Sequence, residues 1–455
     1  MTPLERVAEW IGALAPDRVP ADQHRFARIR LVDTLGLIAA ATGHEAGTSL
    51  RAFANLNPGA GATVLTTGKQ TLPSTAALVH GSLAHARDFD DTYIDSVVHP
   101  GSTVIAAALA AGESVDAPFD ALSTAIVIGY EIAARLGMLA GRGFHARGFH
   151  ATGIVGPIAA AAAAGHLMRL DASRLADAMG LATSMSSGLL AFLGDGGWSK
   201  WMHTGWSAHG GLIAAQLANT GFRGPREGLD HRFGLYGAFL GNADVDLAAL
   251  GDRLGSVWRG ATAQAKLYPC AHVIQPYIDA GLALRAEKLA VENIATIRCV
   301  MAPWAMPIVS EPRDIKIAPR NDLEAIASLP FMLAAALVEG RVDLATLTPA
   351  TIYNAEIRAL ADRVACEADA SLGTGFDGRM EIVRRDGQIL SRAVGLTPPD
   401  EAQIIAKFRT NTAACPQPAC DALLRALLNE MPRCGELMRL ATAAIAAPDV
   451  AGARP

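Results

Sequence analysis

Ile154 to Gly165 reads IVGPIAAAAAAG, with six consecutive alanines at 159–164. Alanine is the strongest helix former, and its methyl side chain lets a neighbouring helix approach closely. Such a run fits the interior of a tightly packed helical bundle. It falls short of the roughly 18 to 20 residues that a membrane span needs, as does Thr103 to Gly112. Both stretches are expected to be buried helices, and no membrane association is expected. Ala-rich helical patterns recur at 75–87, 103–112, 120–138, 153–167, 174–192 and 207–219, with no strand-like alternation from 1 to about 255. That half is expected to be all-α.

Thr2, Pro3 and Glu5 form a capping box with proline at the first helical position, ahead of Leu4, Val7, Ile11 and Leu14 on one face. Asp22 is placed to cap a second helix running through Phe26 and Leu35 to near Gly43. The pattern changes near residue 260. Thr296 to Met301 alternates as a strand. Arg379–Arg385 and Gln388–Val394 flank Asp386-Gly387, a strong hairpin signal. Helices fit at 272–287, 322–338 and 349–362, with a short strand at Val364 to Ala368. After Pro398-Pro399 the helical pattern returns, with Asp400 as a cap, another helix near 420–445, and a frayed tail from Pro448. The fold expected is mainly α: a large helical domain built from both chain ends, 1–261 and 397–455, interrupted by a smaller α+β domain at 262–396.

Composition narrows the function classes. The 39 basic and 44 acidic residues give a net charge of −5 with no basic run, so the electrostatic footprint of a nucleic-acid binder is missing. Only six basic residues are lysines: 69, 200, 266, 288, 316 and 407. The six cysteines all lie in the second half without a CxxC pair, which supports neither disulfide staples nor a zinc site. Met1 to Trp10 carries no apolar core of a secretory signal. A reducing compartment, the cytoplasm, is the expected location.

All twelve histidines precede residue 273, and the reactive residues fall into four clusters. The first is His85-Ala-Arg-Asp88-Phe-Asp90-Asp91-Thr92, followed by Asp95 and His99-Pro-Gly. A helix continuing from about 75 would bring Asp88, Asp91, Thr92 and Asp95 to one side. That face suits Mg²⁺ ligation, acid–base work with His99, or simple solvation. The second cluster, Gly143 to Gly153, places His150 just before an Ala-rich helix, whose N-terminus favours anions. Its two histidines, five apart, share no helix face for a metal. The third, Gly194 to Gly205, lacks the strand and spacing of a P-loop; in it Lys200 and His203 lie three apart. The fourth, Lys266-Leu-Tyr-Pro-Cys270-Ala-His272 with Gln275, sits at the junction of the two halves, where small-molecule sites tend to form. Cys270 has no base beside it and reads as structural. Each of these residues also has a bland reading, as a surface lysine or a hydrogen-bonded loop histidine.

The run Ala84-His85-Ala-Arg-Asp88-Phe-Asp-Asp-Thr92 with His99-Pro-Gly resembles the MmgE/PrpD family, which includes 2-methylcitrate dehydratase, cis-aconitate decarboxylase and iminodisuccinate epimerase. The likeness is carried along nearly the whole chain by Asp33-Thr-Leu-Gly36, Gly148-Phe-His150-Ala-Thr-Gly, Lys200-Trp-Met-His203-Thr-Gly205, Gly221-Phe-Arg-Gly-Pro225, Lys266-Leu-Tyr-Pro-Cys270 and Lys407-Phe-Arg409. The resemblance implies a helical domain with an α/β lid, a homodimer, no metal or organic cofactor, and a cleft between domains. In that cleft Asp88, Thr92, His99, His150, Lys200 and Lys266 match lining residues, and His203 matches a motif position. Gln275 stands where many members have His, Ala271 and His272 replace a frequent Cys and Arg, and His80 and Arg87 depart from common residues. Tyr93 to Val98 matches neither the dehydratase nor the decarboxylase pattern.

The family's reactions make or quench a carbanion-like centre beside a carboxylate. Two lysines would stabilise that charge, and His99 suits proton transfer because its reference pKa of about 6.5 lies near working pH. His150 would bind carboxylate or give the second proton, with Asp88 and Thr92 orienting groups. The expected activity is a cofactor-independent lyase acting on a small di- or tricarboxylate, with dehydration placed ahead of decarboxylation. An epimerase or isomerase using the same proton chemistry stands as the alternative. Two other classes are weighed: a Mg²⁺-dependent terpene-type enzyme built on Asp90, Asp91 and Asp95, and a non-catalytic carboxylate binder.

Overall fold

A computed structural model describes residues 1–194, 196–241 and 245–446. The tail expected to fray, from Pro448, lies outside these. The chain is 61% helix and 9% strand, a mainly α fold.

Helix α1 (Pro3–Ala13) begins with the capping box Thr2/Glu5. Helix α2 (Ala21–Ala41) starts after Pro20, so Asp22 sits in its first turn and is not its cap. After α3 (Glu45–Leu56) the expectation of an all-α half needs correction. Strands β1 (Pro58–Thr63) and β2 (Gln70–Thr71) pair antiparallel. The β1 sequence PGAGAT has no branched or aromatic alternation to announce a strand. Helices α4 (Pro73–His85), α5 (Pro100–Ser114), α6 (Phe119–Ala140), the short α7 (Gly143–Ala146), α8 (Ala151–Leu167), α9 (Ala172–Thr183) and α10 (Ser199–Asn219) complete the bundle. Helix α9 stops well short of 192, and α10 begins eight residues before the expected 207. That start brings Lys200 and His203 onto α10. Helix α6 is the one described helix long and apolar enough to cross a membrane, but 89% of its apolar window is buried inside the protein, as in a core helix.

Close approach of small residues joins α4 to α10. A Cβ on Gly205 would lie 2.1 Å from the Leu78 carbonyl oxygen and 2.2 Å from Ser82 Oγ, and one on Gly81 would lie 2.8 Å from Gly205 Cα. The alanine run of α8 is fully buried, packed against α10, α6 and α9.

The second half holds α11 (Gln275–Ala286), β3 (Ile294–Met301), α12 (Met306–Val309), α13 (Arg313–Ile317), α14 (Asp322–Ile326), α15 (Leu329–Glu339), α16 (Pro349–Ile352), α17 (Ala355–Ala361), β4 (Val364–Ala368), β5 (Gly378–Arg384) and β6 (Ile389–Val394). The sheet order is β4-β3-β5-β6, with β3 parallel to β4 and the β5–β6 hairpin turning at Asp386-Gly387. Two expected single helices are each two. The hydroxyl of Ser328 caps α15, and the side chain of Asn354 caps α17. Helix α18 (Glu401–Asn411), capped by Asp400, packs along α2, where Lys407 Nζ lies 2.7 Å from Asp33 Oδ1. The helix expected at 420–445 breaks around Met431 (φ +52°) between α19 (Gln417–Arg425), a π turn (Ala426–Glu430) and α20 (Cys434–Ile445). None of the six cysteines forms a disulfide.

Candidate active site

Helix α4 ends at His85, so the helical face expected for Asp88, Asp91, Thr92 and Asp95 does not form. Asp88 adopts a positive φ of 46°, a conformation that Asp tolerates better than most residues and that stops a helix. From there the chain loops inward. Thr92 pairs with Gln264, and Tyr93 with Val98, before His99 caps α5. The three carboxylates weighed as Mg²⁺ ligands face different partners. Asp90 Oδ1 is 2.8 Å from His85 Nδ1; Asp91 accepts from Tyr130 Oη at 2.6 Å and from the Gly101 amide at 2.9 Å; Asp95 Oδ2 accepts from Tyr93 Oη at 3.1 Å.

The loop carries Asp88 into a position between two lysines from distant segments. Its Oδ2 is 2.6 Å from Lys200 Nζ at the start of α10, and its Oδ1 is 2.7 Å from Lys266 Nζ, which also donates to the Asp88 carbonyl at 2.7 Å. Burial works against charge on this carboxyl, but Lys200 and Lys266 outweigh it and hold its pKa well below the usual range.

Beside this triad lie four imidazoles. His99 donates through Nδ1 to the Asp91 carbonyl (3.0 Å), with Thr92 Oγ1 3.4 Å from the same nitrogen, and its amide donates to Thr152 Oγ1 at 2.9 Å. His150, at the N-terminus of α8, shares one hydrogen bond with His203 of α10, Nδ1 to Nδ1 at 3.2 Å. His85 packs against both: its ring centroid is 4.8 Å from that of His99 and 5.7 Å from that of His150. One ring nitrogen from each of His85, His99 and His150 lies within 4.8 Å of the others. Two nitrogens so spaced can both reach one small atom between them, a substrate oxygen or a cation; His85, Asp88, Asp90 and His99 form a second set of this kind. The two ammonium groups at Asp88 favour the anionic oxygen.

Burial lowers the pKa of His99 well below 6.5, with Asp90 pulling it up and Lys266 pushing it further down. Burial likewise lowers His150, and takes His203 down to about 4. These rings are therefore neutral near pH 7. The carboxylate beside His99 is that of Asp90, 3.5 Å from Nδ1, and Asp88 adds a weaker pull in the same direction. Asp91 points away; burial raises its pKa to about 6 against the pull of Arg30 and Tyr130.

The structure thus brings together all seven sequence-predicted residues: Asp88, Thr92, His99, His150, Lys200, His203 and Lys266. Each is largely buried, with Lys200 the most open at 13% of its side chain. A surface cleft of about 560 Å³ bordered by Thr183, Pro225, His231 and Phe239 lies apart, and none of the seven lines it. Sequence reasoning missed His85 and Asp90 as members. The signal was present, a histidine five residues before a carboxylate, but a helical reading of 75–95 pointed them elsewhere. Gln275 plays a structural part. Its Oε1 accepts from the amides of Leu267 (3.0 Å) and Tyr268 (3.1 Å), and its Nε2 donates to the Tyr268 carbonyl (2.7 Å), which fixes the turn after Lys266. Cys270 is fully buried, and burial raises its thiol pKa.

Comparison with known proteins bears on this constellation. Residues 5–248 match the MmgE/PrpD N-terminal domain and residues 268–428 the MmgE/PrpD C-terminal domain. A cis-aconitate decarboxylase-like protein, oryM, of Aspergillus oryzae is 26% identical over 426 residues, covering 86% of each chain. A cis-aconitate decarboxylase of Aspergillus terreus is 26% identical over 439 residues, covering 89% of this chain and 88% of the relative. The cis-aconitate decarboxylase of Mus musculus is 25% identical over 404 residues, covering 84% and 80%. With both domains matched over most of its length, this chain belongs to the MmgE/PrpD family.

Proposed function

We propose that this protein is a cofactor-independent lyase acting on a small di- or tricarboxylate through proton transfer next to a carboxylate. The observation that carries the reading is the convergence of two lysines on Asp88, at 2.6 and 2.7 Å, beside His99 and His150. We take decarboxylation ahead of dehydration, the reverse of the order expected from sequence, and a cis-aconitate-like acid as the leading substrate; the relatives called cis-aconitate decarboxylase support this order.

Lys200 and Lys266 hold substrate carboxylates and stabilise the charge that develops when the carbanion-like centre forms, in surroundings where water is largely excluded. Asp88 holds both ammonium groups in place through its two carboxylate oxygens. In a decarboxylation the C–C bond to the departing CO₂ breaks, and its electron pair forms a C–H bond with a proton from an imidazole that, neutral in the empty site, takes up its proton when the carboxylates of the substrate bind beside it. In a dehydration a neutral imidazole removes the C–H proton, and a second group protonates the departing hydroxyl. We assign the proton transfer to His99, the second proton or a carboxylate contact to His150, and substrate binding to Thr92 and His203. Residues 262–396 act as a lid on a helical domain formed from 1–261 and 397–455, delivering Lys266 to a cleft between them. The assembly is a cytoplasmic homodimer.

His99→Ala tests the assignment. It should abolish turnover of the preferred acid while leaving the thermal midpoint nearly unchanged, and a folded His99→Ala protein with full activity would contradict it.

A further inference from the structure

We propose that His85 is a further catalytic residue of this site, exchanging a proton with the substrate through Nε2, and that Asp90 is its positioning residue. The proposal rests on the lyase reading above and adds to it a residue to which the sequence analysis gave no role.

His85 is completely buried, yet its Nε2 has no hydrogen-bond partner among the described residues. A buried polar atom left unpaired costs stability, and in a native protein it calls for an explanation. Its other nitrogen is fixed, because Asp90 Oδ1 sits 2.8 Å from Nδ1. A carboxylate acceptor on Nδ1 selects the tautomer with its proton there, which leaves Nε2 with a lone pair. The same pairing stabilises the ring once it is protonated. His85 is also the last residue of α4, where the helix dipole favours a positive charge. His99 has a weaker arrangement: its Nδ1 meets a carbonyl at 3.0 Å and Asp90 only at 3.5 Å. The Nε2 of His150, stacked against the His85 ring, is likewise unpaired and cut off from solvent. One ring nitrogen from each of His85, His99 and His150 lies within 4.8 Å of the others, so an atom of the substrate among the three rings is within reach of all of them.

The step balances in either direction. When substrate is protonated, the Nε2–H bond of the His85 imidazolium breaks, a C–H bond forms, and the ring returns to neutral. In reverse the C–H bond breaks, the N–H bond forms, and the electron pair spreads into the neighbouring carboxylate held by Lys200 and Lys266.

The test combines ¹⁵N NMR of histidine-labelled full-length protein, with and without cis-aconitate and citrate, and kinetics of His85→Asn. Asparagine keeps an N–H for Asp90 where Nδ1 stood and removes Nε2. The expected results are a shift of the His85 Nε2 resonance on adding acid, and a kcat at least about 100-fold lower in His85→Asn with KM within a few-fold. Asp90→Asn should release the fixed tautomer, seen as averaging of the two His85 nitrogen signals. Turnover by wild type with an unmoved Nε2 resonance, or with undiminished kcat in His85→Asn, overturns the proposal and leaves the lyase reading standing. A shift in wild type without turnover of any acid sinks the lyase reading and retains His85 as a ligand contact. Neither shift nor turnover overturns both. Should His85→Asn fail to fold, the wild-type resonance alone decides.

Discussion

At the scale of single residues, Asp88 shows how one side chain serves both structure and chemistry. Its positive φ turns the chain off the helical path, and its carboxylate then pairs with two ammonium groups, one on each oxygen. Asn tolerates the same backbone but carries no charge. Asp88→Asn should therefore destabilise the protein by about 3 kcal/mol, because removing one partner leaves the others uncompensated, and should lower turnover well beyond that loss of folded protein. Chemical denaturation and steady-state kinetics on one preparation separate the two effects. His80 makes a different prediction. Fully buried, it accepts from the Leu65 amide at 3.1 Å, and burial lowers its pKa to about 4. A base whose pKa falls on folding is protonated first in the unfolded chain, so stability is lost as pH drops below about 6.5 and the loss levels off below about 4. At pH 5 this group alone accounts for about 2 kcal/mol. His80→Gln, which keeps an acceptor for Leu65, should flatten that part of the pH dependence of urea midpoints; an unchanged slope contradicts the account. The residues that sequence named were those with a reactive group in a recognisable motif. His85 and Asp90 sat in the same motif, but their role depends on α4 stopping at His85 and on the turn at Asp88, which the motif does not announce.

At the scale of elements, boundaries were legible where side chains cap them. The box at Thr2/Glu5, the Asp400 cap and the Asp386-Gly387 hairpin stand where the sequence placed them. Boundaries set by packing were not. The first turns of α10 contain Trp201, His203 and Gly205, none of which advertises a helix, and they are helical because they pack against α4. Gly205 makes that packing possible and so sets the relation between His85 at the end of α4 and Lys200 and His203 at the start of α10. Gly205→Ala would drive a methyl to within 2.1 Å of a carbonyl oxygen. It should cost about 1 to 3 kcal/mol and lower kcat through displaced Lys200 and His203. An alanine variant with unchanged stability and activity would show that the α4–α10 contact does not position the site.

At the scale of the whole molecule, the mainly α character followed from the alanine-rich patterns, and the late helical return was legible after Pro398-Pro399. What sequence could not give was the long-range closure. Lys407 of α18 pairs with Asp33 of α2 at 2.7 Å, donates to the Phe89 carbonyl at 2.8 Å, and so ties the C-terminal helices to the loop that presents Asp88. Both charges are buried, so Lys407→Met should destabilise by about 3 to 5 kcal/mol, read as a lower thermal midpoint. The site is therefore assembled from residues 85–99, 150, 200–203 and 266, supported by Lys407, and its chemistry is the central claim. Proton NMR in D₂O of the purified protein with citrate-, aconitate-, methylcitrate- and succinate-type acids tests it most directly. A lyase predicts deuterium entering one acid together with new vinyl signals or loss of a carboxyl carbon. Deuterium entering with the carbon skeleton unchanged would make the protein an epimerase or isomerase, and no exchange with any of these acids would contradict the account.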